Sequence, residues 1–387
     1  SVTKSMVKST QWREGTSGTW LSTACTLTAG KVYQFRTPLS GMSSSTTPVL
    51  PNIKASVVVG WDTTATPIST VGNYFMYAYA YNCTALTSLS VPDTSGLTSV
   101  GDSFMRAYAS GCTSLTSLSV PDTSGLTSVG DSFMRSYASG CTSLTSLSVP
   151  DTSGLTSVGN YFMYAYAYNC TALTSLSVPD TSGLTSVGDS FMRAYASGCS
   201  SLTSLSVPDT SGLTSVGDYF MAYYANNCTS LTSLSVPDTS GLTSVGNYFM
   251  YYYANGCTAL TSLSVPDTSG LTSVGNYFMS YYASSCNALT ALNLPSSTGW
   301  FASNNINWSV PSGRLNYLYG YAPDSTSQTA WRALTSSGKT LYTNYIQSSD
   351  YVLQNLTLTC AAGSYSLTGS SVTLTHTPAS QNLTLAC

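Results

Sequence analysis

The string TSLSVPDTSGLTSVG occurs seven times without a change, first at Thr87–Gly101 and last at Thr261–Gly275, always 29 residues apart. A fixed period of this length is the sequence signature of a solenoid, in which one supersecondary unit buries its apolar side only by stacking on its neighbours. A chain of 387 residues therefore reads as one elongated array with caps, not as two or three independent globules.

Within a unit, Leu86, Leu89 and Val91 have the spacing of a short strand that turns apolar residues inward. Pro92 stops that strand, and Asp93-Thr94-Ser95-Gly96 has turn chemistry. Leu97 and Val100 form the next apolar pair, in a second short extended segment. A helix is expected to follow. Position 102 is Asp or Asn in every unit (Asn73, Asp102, Asp131, Asn160, Asp189, Asp218, Asn247, Asn276), and these are good N-cap residues. Phe104, Met105, Tyr108 and Cys112 share one face at helical spacing. Gly111, Gly140, Asn169, Gly198, Asn227 and Gly256 precede the cysteines, where a left-handed residue ends a helix. The expected fold class is an α/β repeat solenoid, each 29-residue unit a strand plus a short helix of about two to three turns, with β-rich terminal segments.

The run L-T-S-L-S-V-P-D-T-S-G-L-T-S-V-x-x-x-F-M-x-x-x-x-x-x-C resembles the BspA-like leucine-rich repeats of bacterial surface proteins, which also occur in phage fibre proteins. The resemblance covers about residues 55–295. This unit departs from the family pattern by about one additional helical turn around Arg106-Ala107-Tyr108-Ala109. The resemblance implies a solenoid used for adhesion or binding, and it implies no enzymatic activity.

Charged residues make up 7% of the chain and the formal net charge is −3, too little to indicate nucleic acid or an anionic membrane as partner. No run of 18 or more apolar residues is present, so membrane insertion is not expected. Eight cysteines recur at the same phase (Cys83, Cys112, Cys141, Cys170, Cys199, Cys228, Cys257, Cys286) and are expected to form a buried, reduced ladder of structural core residues. Cys25, Cys360 and Cys387 lie outside the array and are left unpaired.

Residues 1–54 read as a β-rich segment, 55–295 as about eight coils, 296–351 as an aromatic-rich cap and 352–387 as a small β-domain. In the cap, Ser325–Leu334 is expected to be helical and Thr340–Ile346 a strand; Ala55–Trp61 reads as a degenerate first coil. The motif NLTLTC at Asn355–Cys360 returns as NLTLAC at Asn382–Cys387. Asn382, Leu383, Thr384, Leu385, Ala386 and Cys387 are therefore candidate assembly residues, an unpaired strand that pairs with another subunit by β-augmentation.

Chemistry is sparse. The single histidine, His376, and the single glutamate, Glu14, provide neither a metal site nor a catalytic dyad. No catalytic residue, cofactor or metal is expected. The recurring Asp93, Asp122, Asp151, Asp180, Asp209, Asp238 and Asp267 read as Asx turns, with a calcium ladder as the sharper alternative. Rows of Ser88 and Ser90 equivalents offer an ice-binding or glycan-decorated face. Variation is concentrated on the expected helix, where Tyr alternates with Arg. Asp102–Arg106, Asp131–Arg135 and Asp189–Arg193 are spaced for i,i+4 pairing. Tyr74, Tyr77, Tyr81, Tyr161, Tyr164, Tyr168, Tyr248, Tyr251 and Tyr252 are the candidate binding residues, suited to carbohydrate or protein. The expected role is a non-enzymatic adhesion or structural subunit of a surface filament or phage tail fibre, self-associating outside a cell, on its surface or as a virion appendage.

Overall fold

A computed structural model describes residues 2–4, 11–28, 31, 33–36, 68–268 and 270–289, followed by the strands Ala291–Asn293, Tyr317–Tyr319, Thr343–Gln347, Asp350–Leu353, Thr357–Cys360, Gly363–Ser366 and Val372–Thr375. The 29-residue repeat winds into a β-solenoid. Each coil from Ser88 to Val245 carries two parallel strands of two residues, and every pairing joins residues 29 apart: Ser88 with Ser117 and Leu89 with Leu118 for the first strand, Thr70 with Ser99 and Val71 with Val100 for the second. The same register returns at Ser146–Ser175, Ser204–Ser233, Ser128–Ser157, Ser186–Ser215 and Ser244–Ser273. Outward Ser and inward Leu or Val alternate as the pleat requires.

No helix is found among the described residues. The segment expected to be helical is instead a ribbon of overlapping tight turns. In the second coil Ser103, Met105 and Ala107 have φ of 58°, 48° and 56°, and Gly111 has 79°. Arg106, Tyr108, Ser110 and Cys112 donate their N–H to the carbonyls three residues back. The residues between them reach across coils: Ala107 to the Arg135 carbonyl at 2.7 Å, Ala109 to Tyr137 at 2.9 Å, Gly111 to Ser139 at 2.7 Å, and Met105 back to Phe75 at 2.8 Å. Every backbone N–H from Met105 to Cys112 is thus bonded.

Stacking distance explains why this conformation wins. Paired strands force a rise of about 4.8 Å per coil, whereas an α-helix is about 10–12 Å across with its side chains. Helices fit such an array only if it bends enough to splay them apart. Here Phe104 and Phe133 stack at 5.5 Å between ring centroids, and Tyr108 and Tyr137 at 5.3 Å. The turn side therefore repeats at nearly the strand spacing, which leaves no room for helices. Each left-handed non-glycine residue costs about 1–2 kcal/mol; the inter-coil hydrogen bonds and the burial of Phe104, Met105, Tyr108, Ala109 and Cys112, all at 0% exposure, offset that cost.

The Asp/Asn at position 102 is consequently not a helix cap. Asp102 donates its N–H to Oδ1 of Asn73 at 2.9 Å, and Asp131 does the same to Asp102 at 3.0 Å. The side chain must be short and end in an acceptor oxygen, which restricts the position to Asp and Asn. The residue before each cysteine is left-handed (Asn82 at φ 56°, Gly111 at 79°, Ser285 at 61°), as expected at a helix end but here inside the turn ribbon.

The core runs the length of the array as ladders. Phe, Met, Tyr and Cys occupy one column each and Leu three, the equivalents of Leu86, Leu89 and Leu97, nearly all buried. Tyr108 crosses this core and donates its hydroxyl to the Ser90 carbonyl at 2.6 Å; Tyr137, Tyr166, Tyr195, Tyr224, Tyr253 and Tyr282 repeat the bond. None of the array cysteines is in a disulfide, and all are buried. Cys112 donates its Sγ–H to the Ala80 carbonyl at 3.0 Å and Cys141 to Ala109 at 3.2 Å.

At the N-terminus, Val2–Lys4 pairs with Cys25–Leu27 and Gln11–Glu14 with Tyr33–Arg36, both antiparallel. Arg13 and Arg36 each place a guanidinium 4.5 Å from the Trp20 ring centroid. After the array, Ala291–Asn293 pairs in parallel with Tyr317–Tyr319, which pairs with Thr343–Gln347. Thr357–Cys360 pairs with Gly363–Ser366, and Val372–Thr375 with Asp350–Leu353. Ala55–Trp61, Ser325–Leu334, His376 and the candidate assembly residues Asn382–Cys387 lie outside the described residues.

Candidate binding face

Outward-pointing residues of the turn ribbon form one continuous face. Three columns supply it, the equivalents of positions 103, 106 and 107. The first carries Tyr74, Tyr161, Tyr219, Tyr248 and Tyr277; the second Tyr77, Arg106, Arg135, Tyr164, Arg193 and Tyr251; the third Tyr223, Tyr252 and Tyr281. Because each column rises one coil per step, rings in successive coils stack. Tyr219 and Tyr248 lie 4.4 Å apart at 3° between planes, Tyr248 and Tyr277 4.8 Å, and Tyr252 and Tyr281 4.6 Å. Tyr251 stands edge-on between the two stacks, 5.3 Å from Tyr248 and 4.5 Å from Tyr252.

The nine candidate tyrosines thus fall into four groups. Tyr248, Tyr251 and Tyr252 share one cluster with Tyr219, Tyr223, Tyr277 and Tyr281. Tyr161 and Tyr164 meet edge to face at 6.3 Å, and Tyr74 and Tyr77 at 6.0 Å. Tyr81 and Tyr168, each 40% exposed, belong to a separate column, the equivalents of position 110. Tyr219, Tyr223, Tyr277 and Tyr281 are missed when coils are compared one position at a time; aligning whole columns would have found them. Their packing affects titration. Burial, with nearby Tyr223 and Tyr252, pushes the Tyr251 phenol up, and burial does the same to Tyr223.

The i,i+4 ion pairs do not form, because there is no helix to bring their ends together. Among the described residues the ion pair is Lys31–Glu14, at 2.7 Å. The arginines lie over tyrosine rings instead. Arg135 is 4.9 Å from the Tyr161 centroid and 4.7 Å from Tyr164; Arg193 is 4.1 Å from Tyr219; Arg106 is 5.5 Å from Tyr77. Such contacts contribute about 0.5–1 kcal/mol each when exposed.

The Asp93 column is occupied by turn chemistry. Asp93 Oδ1 accepts both the Ser95 N–H at 3.0 Å and the Ser95 hydroxyl at 2.7 Å, and these bonds hold its carboxyl below the usual value. Asp122, Asp151, Asp180, Asp209 and Asp238 accept the same pair. No group of three or more His, Cys, Asp or Glu side chains converges among the described residues. On the strand side, Thr174, Ser175, Ser204, Ser206, Ser233 and Ser235 line a shallow open depression.

Fold and face together define a leucine-rich β-solenoid with a uniform core and one variable aromatic surface. The chain belongs to the BspA type leucine-rich repeat family, whose model matches in 6 copies over residues 73–223 and 163–309. Among curated proteins no match is found. Among solved structures, that of the pneumococcal vaccine antigen PcpA is similar over 72% of this chain and 71% of that one, at 14% identity and a TM-score of 0.34. No described helix is long and apolar enough to cross a membrane.

Proposed function

We propose that the array is a non-enzymatic adhesive scaffold that works outside the cell, as a subunit of a surface filament or of a phage tail fibre. Its tyrosine face engages a cell-surface carbohydrate or protein, and its β-rich ends join subunits. The observation that carries this reading is the division of labour among columns. Core, turn and strand positions are repeated coil after coil, while change is concentrated on the outward columns that bear Tyr and Arg. Tyr81, Tyr161 and Tyr168 expose 38–40% of their surface, where an amphipathic ring offers contact area at small entropic cost. Family membership supports the same role. The test is adhesion to host or target cells by wild type and by a Tyr77/Tyr81/Tyr164/Tyr168→Ser variant of unchanged thermal stability. The variant should lose adhesion, and equal adhesion would overturn the reading.

A second reading has one observation behind it. The outward serines of the first strand stand in register (Ser88 with Ser117, Ser146 with Ser175, Ser204 with Ser233), so a regular hydroxyl lattice runs along the sheet. An ice-binding or glycan-decorated surface would use it. Thermal hysteresis and ice shaping in purified protein would establish the ice role, and their absence would end it.

A further inference from the structure

Between residues 68 and 289 the chain has three cationic side chains, Arg106, Arg135 and Arg193, and all three occupy the same column. Arg106 and Arg135 are on adjacent coils, at a spacing of about 4.8 Å. Like charges so close repel. No carboxylate forms an ion pair with any of the three, and no oxygen among the described residues accepts a hydrogen bond from them. Their neighbours are rings: Tyr77 beside Arg106, Tyr161 and Tyr164 beside Arg135, and Tyr164, Tyr219 and Tyr223 beside Arg193. Tyr164 lies between two guanidiniums, 4.7 Å from Arg135 and 5.6 Å from Arg193.

A ring face attracts a cation but offers no lone pair in the plane of the guanidinium. Each arginine has five N–H donors in a fixed fork, and here the rings hold those forks in place without using the donors. Half-burial of Arg135 and the charge of Arg106 both lower the affinity of Arg135 for its proton, as expected for a cation lacking a counter-charge. Asp102 and Asp131, on the same coils, have Oδ1 committed to the backbone ladder.

We propose that Arg106 and Arg135, walled by Tyr161 and Tyr164, bind the anionic group of an acidic sugar, a carboxylate or a sulfate, and that Arg193 with Tyr219 extends the site to the next residue of the glycan. The forks take the charge bidentately, and the exposed part of the Tyr161 ring receives the apolar C–H face of the sugar ring. This assignment rests on the reading of the face as adhesive and specifies its ligand class. The rings favour a sugar over an acidic peptide, since a peptide carboxylate would use the forks and leave the platform empty.

The test is surface plasmon resonance on the full chain, with sialyllactose, a heparin tetrasaccharide, neutral lactose and polyglutamate as probes. The comparison is between wild type and R106Q/R135Q, matched in melting temperature. At least one acidic sugar should bind, more weakly as salt rises. The double variant should lose at least about tenfold in affinity, the scale of one or two charge-assisted hydrogen bonds. If no acidic sugar binds wild type, or the variant binds it equally, the assignment falls. Capture of neutral lactose independent of the arginines would overturn it while leaving the adhesive reading intact. Polyglutamate binding with the same arginine dependence and no sugar binding would replace the sugar with a protein partner.

Discussion

Asp131 donates its backbone N–H to Oδ1 of Asp102 at 3.0 Å, and its own Oδ1 receives the N–H of Asn160 at 2.7 Å. The bond passes from coil to coil at the point where the second strand ends and the turn ribbon begins. It locks each coil in register with the one below, since a shift of one residue would take the acceptor oxygen away from the N–H it meets.

This ladder makes three substitutions informative. Asn160→Ala removes the acceptor of the Asp189 N–H, bonded at 2.8 Å, and should cost about 1 kcal/mol. Asn160→Asp keeps the oxygen and should change little. Gly159→Ala is more severe. Its Cβ would lie 2.5 Å from Asp131 Oδ1 and 2.7 Å from the backbone nitrogen of Asp131. Backbone cannot yield as a side chain can, so overpacking of about 1–3 kcal/mol is expected. Urea denaturation followed by circular dichroism measures all three; Gly159→Ala at wild-type stability would contradict the stacking geometry.

Much of the coil was legible in the sequence. Leu89, Val100, the Asp93 turn and the inward Phe104, Met105, Tyr108 and Cys112 follow from apolar spacing and turn chemistry alone. The error lay in naming the element that carries the last four. They are buried in adjacent pairs, Phe104 with Met105 and Tyr108 with Ala109, then Cys112, a period of four that nine residues cannot separate from a helical period of about 3.6. Asp at the start and Gly near the end fit a capped helix equally well. What discriminates is the rise per coil, a property of the stack that no single unit contains. The Arg–Tyr contacts were hidden for the same reason, because Arg135 and Tyr164 are 29 residues apart in sequence but neighbours in the column. Asp131 and Arg135, four apart, would meet only on a helix.

The thiol ladder should be chemically silent in the folded chain; at Cys286, whose pKa is lowered by the hydrogen bond with Cys257, it is full burial alone that keeps reagents out. Burial pushes the Cys170 and Cys228 thiols up to about 12, and raises Cys141 and Cys199 well above their usual value. A thiolate is the reactive species, and none of these forms one near neutral pH. With Ellman's reagent at pH 8, no more than three of the 11 cysteines should react in the native protein, and all of them in guanidinium. Rapid native modification of more than three thiols would show that the array opens. A reducing agent should leave the melting temperature of the array unchanged, because none of its cysteines is in a disulfide.

Alkaline pH should unfold the array cooperatively, and the sign follows from the same burial. Desolvation pushes the phenols of Tyr108, Tyr137, Tyr166, Tyr195, Tyr224, Tyr253 and Tyr282 well above their ordinary value. In the unfolded chain thiols ionise near about 8.5 and phenols near about 10. Above those values the unfolded state binds fewer protons than the folded one, so stability falls as pH rises. Each group contributes its full share below its unfolded pKa and loses about 1.4 kcal/mol per pH unit above it, until its folded pKa is reached. Stability should therefore be flat at neutral pH, decline from about pH 8.5 and steepen beyond about pH 10. Tyr195→Phe tests the assignment directly. It leaves the Ser177 carbonyl without the hydroxyl now bonded at 2.6 Å, costing about 1 kcal/mol at neutral pH, and it removes one ionisable group. The difference between variant and wild type should shrink above about pH 10. Circular dichroism and tyrosinate absorbance recorded together decide the matter. The buried phenols should ionise in the same step that abolishes the fold; smooth ionisation of all tyrosines with secondary structure intact would place those rings in solvent.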